Sequence, residues 1–264
     1  MKEAISEIPR RELFGISVHA VTMSQTLALC GEAIIQKEQL SIGVVNVAKL
    51  VAMRRDRALH ESVSSADLVL ADGAGVVWAA RLLGQPLPER VAGIDLFEKL
   101  LDLANERRAS VYFLGARPAV LQKVVNRARR ERPSVLIAGS CDGYYKEDEE
   151  RFVAEKIRDA HPDILFVAMS SPKKEVFLKR WGSKLNVCVC HGVGGSFDVY
   201  AGLVTRAPLS WQKSGLEWLH RALQEPRRLW RRYLVTNCAF AVMLLREVAL
   251  SVQSTWRRKH PAAD

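Results

Sequence analysis

The chain has 264 residues, 48% of them hydrophobic, with 39 Lys and Arg against 29 Asp and Glu, for a net charge of +10 and a pI of about 9.6. At that length and apolar content it can bury a sizeable core, which excludes disorder as the default and points to one large domain with an appendage. The charge asks for an anionic partner: nucleic acid, an acidic membrane surface or a phosphorylated small molecule.

The N-terminal "MKEAISEIPRRELFG" lacks the apolar core of a secretory signal, and no run reaches the roughly 18 to 20 apolar residues of a membrane span. From residue 40 onward, short apolar runs alternate with longer amphipathic segments. "LSIGVVNVAKL" (40–50) reads as a strand feeding a helix, and "ADLVLADG" (66–73) as a buried strand ending at Asp72-Gly73. "GIDLFEKLLDLANER" (93–107) has helical spacing; "SVYFLGA" (110–116) is a strand; "RPAVLQKVVNRARRERP" (117–133) is a helix closed by proline. "SVLIAGSCDGYY" (134–145) is a strand and turn, "EDEERFVAEKIRDAHP" (147–162) a helix, and "DILFVAMSSP" (163–172) a strand. "LNVCVCHGVGGSFD" (185–198) is a strand ending in a glycine loop. Its Cys188 and Cys190 are expected on one face with no second ligand pair. With five cysteines in all and no C-x-x-C pair, neither a disulfide framework nor a zinc site is expected, and the thiols read as reduced and cytosolic. Near "TRAPLSWQKSGLEWLHRALQEPRRLWRRYL" (205–234) the composition turns helical, tryptophan-rich and basic, so a C-terminal appendage is expected from 207 to 264 beside a core of 1–206.

Repeated strand-helix units with continuous apolar runs predict an α/β fold: a Rossmann-like, mostly parallel sheet with helices on both faces, plus the basic helical appendage. Ligands in such sheets bind at the carboxyl ends of the strands, where Asn46, Asp72, Tyr144, and the run from Gly192 to Asp198 fall. Asp72 reads either as a turn or cap residue before Gly73, or as a carboxylate that takes a proton from a hydroxyl nucleophile. The following "GAG" is no dinucleotide fingerprint, because Trp78 stands where the third glycine belongs. "GVGGSFD" (192–198) either turns the chain or lets backbone N–H groups at Gly194 and Gly195 approach an anion; no Gly-Lys-Ser/Thr closes it as a P-loop. Arg90, Lys173 and Lys174 add basic groups near the same edge, and no D-x-D triplet is present. Arg221, Arg228 and Arg231 are seven and three residues apart, so on a continuous helix they share a face and can converge on one polyanion, while Pro226 between them permits a bend; a solvated basic face is the other reading. "YLVTNCAFAVMLL" (233–245), flanked by arginines and the terminal "WRRKH", suits a helix lying on an anionic bilayer and is too short to span one. A buried appendage helix is the competing reading. No helix-turn-helix, zinc finger or RNA-recognition signature supports a nucleic-acid partner.

Taken in order, "ADGAGVVWAARLLG", "ERVAGIDLFEKL", "FLGARPAV", "SSPKKE", "GVGGSFDVYAG", "RAP" and "GLEWLHRALQEPRRLWRRY" resemble the WecG/TagA/CpsF family of glycosyltransferases over roughly residues 40–235. The resemblance implies inverting transfer from a UDP-sugar to a polyprenyl-diphosphate-linked sugar, without metal or cofactor, peripherally at the cytoplasmic face of a bacterial inner membrane. It implies Asp72 as the base, Arg90 as a substrate arginine, and Arg221, Arg228 and Arg231 as holders of the diphosphate. Tyr144 and Asp198 would lie around the nucleotide, with Asn46 and Lys174 near substrate. Two positions depart from the family pattern. A threonine and a glutamine common in the family are here Val44 and Lys174, which points away from an N-acetylmannosaminyl donor toward another hexose, such as glucose for exopolysaccharide, or a uronic acid drawn by Lys174. A homo-oligomer stays open, as does a decayed nucleotide-sugar-binding or scaffold protein at the membrane.

Overall fold

The computed structural model describes residues 1–259, with the side chains of residues 213, 228, 232 and 251–259 outside the description. In chain order the elements are α1 (Lys2–Ser6), β1 (Arg10–Leu13), β2 (Ile16–His19), α2 (Met23–Gln36), β3 (Leu40–Val45), α3 (Val47–Met53) and α4 (Arg57–Ser64). Then come β4 (Leu68–Ala71), α5 (Ala74–Leu82), α6 (Gly93–Arg107), β5 (Ser110–Gly115), α7 (Pro118–Glu131), β6 (Leu136–Cys141) and α8 (Glu150–Asp159). The last are β7 (Ile164–Ala168), α9 (Lys173–Trp181), β8 (Val189–Gly192), α10 (Ser196–Tyr200), α11 (Leu209–Lys213), α12 (Glu217–Gln224) and α13 (Pro226–Lys259).

Six strands form one sheet in the order β4-β3-β8-β7-β5-β6, every pair parallel. Alternation along each strand sorts side chains to two faces. Leu68 and Leu70 of β4, Val111 and Phe113 of β5, and Ile164 and Phe166 of β7 enter one core with α2, α6 and α7. The other face carries two cores: Val45, Val69 and Ala71 with α3, α4 and α5, and Leu114, Leu165 and Val167 with α8 and α9. Strands buried on both sides explain the continuous apolar runs. Cys188 departs from the expected pairing with Cys190, because it precedes β8 and joins the first core while Cys190 joins the third.

The hairpin β1-β2 had no counterpart in the sequence reading. It flanks the β4 edge, where the buried His19 accepts a hydrogen bond at Nδ1 from the Val69 N–H at 3.0 Å. A side chain there occupies a donor that an open sheet edge would leave for another chain.

The appendage is tied to the core at several points. Gly215, at φ +70°, turns the chain between α11 and α12 against α5, where a Cβ would stand 2.8 Å from the Ala74 Cβ. Gln224 exchanges hydrogen bonds with the Thr205 backbone at 2.8 and 3.2 Å. On α13, Phe240 meets Phe14 at 5.2 Å between ring centroids, and Glu247 pairs with Arg54 at 3.3 Å. The helix breaks at Glu225 (φ −129°, ψ 61°), the bend that Pro226 permits, so Arg221 on α12 and Arg231 on α13 do not lie on one continuous helical face. The helix carries the apolar stretch further than 233–245, over Leu229–Leu250, 22 residues of mean hydropathy 1.5, which by length and composition alone would be enough to cross a membrane.

Candidate active site

Asp72 follows the last residue of β4, at the carboxyl edge of the sheet. Its backbone N–H continues the parallel ladder to the Val45 carbonyl at 2.8 Å. Its Oδ1 accepts the Gly93 N–H at 2.9 Å, so the first residue of α6 donates to it. Burial raises the Asp72 carboxyl above the ordinary carboxylate value, opposed by that N–H and by the charges of Lys49 and Arg90. The same Gly93 is held from its other side. His191, fully buried on β8, lies with Nε2 3.2 Å from the Gly93 carbonyl. A carbonyl only accepts, so Nε2 carries the proton, and Nδ1 is left without a partner among the described residues. Burial pushes His191 down to about 4, with Lys49 and Lys174 adding to the effect, so the imidazole is neutral.

Beside this run lies a buried ionic triad. Lys49 and Lys174 both reach Glu175 Oε1, at 2.8 and 2.7 Å, and all three side chains are under a tenth exposed. Lys49 also donates to the Val44 carbonyl at 2.6 Å. Burial brings Lys174 down to about 8, while the two lysines, against burial, hold Glu175 down to about 2. Asn46 caps α3 by accepting the Lys49 N–H at 3.0 Å, and its Cβ sits 3.5 Å from where a Cβ on Gly73 would be.

The loop after β8 closes over the triad. A Cβ on Gly194 would lie 3.9 Å from Lys174 Nζ, and one on Gly195 would lie 3.0 Å from Nη2 of Arg221. The absence of a side chain at Gly195 is therefore what lets the appendage bring a guanidinium onto this loop. The Gly194 N–H itself donates to the Val167 carbonyl at 3.3 Å, so it serves the sheet rather than standing ready for an anion. Arg90 is engaged with the appendage too. It donates to Glu217 at 3.0 Å, and Arg206 reaches Asp95 at 2.5 Å, so two arginines and two carboxylates clasp α12 to the start of α6. Next to Arg90, a cleft of about 290 Å³ opens between α5 and α11, walled by Ala74, Val77, Trp78, Leu209 and Gln212.

Asp72, Asn46, Arg90, Lys174, Gly194, Gly195 and Arg221 thus gather at one end of the sheet. Tyr144 does not join them. It follows β6, and β4 and β6 are opposite edges, about 24 Å apart at ~4.8 Å per strand. Tyr144 is exposed and accepts from Arg117 Nε at 3.4 Å, with the charge of Asp198 acting on the same guanidinium. Arg231 is exposed and lies over the Trp230 ring at 5.3 Å, while the Arg228 side chain and the terminal "WRRKH" side chains are outside the described residues. No cluster of three metal-ligating side chains occurs among the described residues.

The sequence reading missed Lys49, Glu175, His191, Arg206 and Glu217. Lys49 had a signal, as the one charged residue of "VAKLVAM" in a helix where Leu50 and Met53 are buried. Glu175 and His191 stood inside the quoted "SSPKKE" and "CVCH", where attention fell on their neighbours.

Comparison with known proteins adds the chemistry. The sequence model of the glycosyl transferase WecG/TagA/CpsF family matches residues 11–254. Two relatives carry the name N-acetylglucosaminyldiphosphoundecaprenol N-acetyl-beta-D-mannosaminyltransferase. One, from Bacillus spizizenii, is 44% identical over 184 residues, covering 69% of this chain and 70% of its own. The other, from Bacillus subtilis, is 38% identical over 213 residues, covering 80% and 81%.

Proposed function

Because this chain belongs to the WecG/TagA/CpsF family and is a glycosyltransferase, we propose that it moves N-acetylmannosamine from a UDP-sugar to polyprenyl-diphosphate-linked N-acetylglucosamine. The observation that carries the chemistry is Asp72, a half-buried carboxylate held by the α6 N-terminus between Arg90, the triad of Lys49, Glu175 and Lys174, and the loop that Arg221 covers. Asp72 takes the proton of the acceptor hydroxyl as its oxygen attacks the anomeric carbon, and UDP leaves from the opposite face. A carboxylate whose pKa is raised by burial is the stronger base for this step. Charge on the departing diphosphate is met by Arg221, held on the glycine loop before the reaction and so needing no reorganisation. The cleft between α5 and α11 gives the acceptor's first prenyl units an apolar wall beside Arg90.

The departures at Val44 and Lys174 do not argue against this donor once their surroundings are known. Val44 is buried in the first core, and the Lys174 charge is shared with Glu175 rather than held out to a uronic acid. The reading includes peripheral docking through α13 on the cytoplasmic face of a bacterial inner membrane. The α13 face bearing Phe240, Met243 and Leu244 is already occupied by the core, which supports a helix lying on the surface over one crossing it.

Asp72→Asn keeps the shape and removes the base. Calorimetric UDP binding should stay within about twofold while kcat falls by roughly 10² to 10⁴; turnover near that of the unaltered enzyme refutes the assignment.

A further inference from the structure

A second recess, larger than the cleft by Arg90, lies beside α3. It is a groove of about 340 Å³ between α3 and α13, floored by Val51, Ala239, Val242 and Met243 and rimmed by Arg54, Arg55 and Arg246. Positions 239, 243 and 246 are four and three apart, so they form one stripe of α13, beside the stripe of Phe240 and Leu244 that is seated on the core. Leu234, Val235, Leu245 and Leu250 of α13 are exposed. The groove is therefore where the core, the appendage and an apolar outer face meet.

We infer that this groove is a binding site for one anionic phospholipid, its phosphate between the guanidiniums of Arg54, Arg55 and Arg246 and the start of an acyl chain along the apolar floor. Charge selects this occupant. A second copy of a chain with net charge +10 would bring like charge against three arginines, whereas a phosphodiester satisfies guanidiniums through short charge-assisted bonds. An apolar floor under a cationic rim is also the division a lipid presents, head to the rim and chain to the floor. Arg54 already has Glu247 at 3.3 Å, so the headgroup enters a site whose charge is partly balanced and whose geometry is held. The consequence goes beyond membrane docking by α13 alone. Arg54 and Arg55 belong to the core, so a lipid held there would fix how the sheet edge bearing Asp72 is presented to the bilayer.

The inference rests on the proposed docking at a membrane, and its test separates the two. Purified full-length protein is floated with phosphatidylcholine vesicles, with and without phosphatidylglycerol. The unaltered chain is compared with Arg54→Gln/Arg55→Gln and with Lys123→Gln/Arg129→Gln, which removes the same charge from exposed positions of α7. The groove pair should lose roughly tenfold or more in partitioning to phosphatidylglycerol vesicles, at about one basic contact each. The α7 pair should lose less than about twofold, and UDP release with a short-chain acceptor in solution should be unchanged in both. Equal losses in the two variants, or none in the groove pair, overturn the site while leaving membrane docking standing. If the unaltered chain fails to float with either vesicle, docking itself falls and the site with it.

Discussion

Replacing Glu175 by glutamine would leave Lys49 and Lys174 side by side in the interior with no carboxylate between them. Breaking a buried pair by removing one partner costs about 3–5 kcal/mol, because the remaining charge is uncompensated. The loss has a ceiling set by pH. A stranded lysine can discharge, at 1.36 kcal/mol for each unit between the solution pH and its ordinary pKa of about 10.4, so roughly 4.6 kcal/mol at pH 7 and roughly 1.9 kcal/mol at pH 9. Lys174 is already down to about 8 with Glu175 present, so it is the group that lets go. Against a typical total of about 5–15 kcal/mol, the pH 7 loss is large. At about 2–4 °C per kcal/mol for a chain of this size, Tm should fall by roughly 6–18 °C at pH 7 and by clearly less at pH 9. Thermal unfolding of Glu175→Gln and the unaltered protein, scanned side by side at both pH values, measures this. A change below about 1 kcal/mol at pH 7, or an equal penalty at both pH values, refutes the triad as a compensated buried charge.

His191→Leu removes the donor to the Gly93 carbonyl, and a buried acceptor left unmade costs about 1–3 kcal/mol. Its kcat should fall while KM for the donor sugar holds, and His191→Gln, which can still donate, should recover most of the loss in steady-state assays. The unaltered protein should also lose stability in acid. His191 is at about 4 when folded against about 6.5 unfolded, so the unfolded chain binds more protons in that window and stability declines as pH falls through it, by roughly 3 kcal/mol in urea titrations at pH 4 against pH 7. The acid limb of kcat/KM should lie above the ordinary aspartate value of about 3.9, since protonated Asp72 cannot accept and burial raises it. Glu217→Arg sets a like charge against Arg90 and Arg206 and should lift α12, and Arg221 with it, from the glycine loop. Turnover should then drop at least about tenfold with the melting curve little changed, as initial-rate kinetics and calorimetry together would show.

The parallel sheet was legible because strands buried on both faces have nowhere to put polar residues, so β4, β5 and β7 stand out as unbroken apolar runs. The hairpin β1-β2 was not, since β1 is largely exposed and is a strand only through its pairing with β2, whose His19 meets the β4 edge. The face argument for Arg221, Arg228 and Arg231 holds only on a continuous helix, and Pro226 marks where a bend can fall. Proline is tolerated at the first position of a helix and not inside one, so the chain stops at Glu225 and starts α13 afresh.

Within the site, motif residues on loops were readable because glycines and a strand-end carboxylate mark where backbone and ligand approach. The ionic partners were not readable, because their pairing runs through space. Lys49, Lys174 and His191 come from α3, α9 and β8, three elements joined only by the adjacency of β3, β8 and β7 in the sheet. That adjacency also reverses the meaning of the replaced glutamine. Read alone, a lysine at 174 is a free positive charge offered to an acidic sugar; placed beside Glu175 and Lys49, it is one member of a triad with a single net positive charge. The Lys49 charge also acts on the Asp72 carboxyl, opposing the rise that burial imposes on it. Two lysines joined to a carboxylate can be kept out of water at tolerable cost, whereas an unmatched lysine could not. The charge at position 174 is thus accounted for by the protein itself, which leaves Arg221 at the loop surface as the cation best placed to meet an incoming diphosphate.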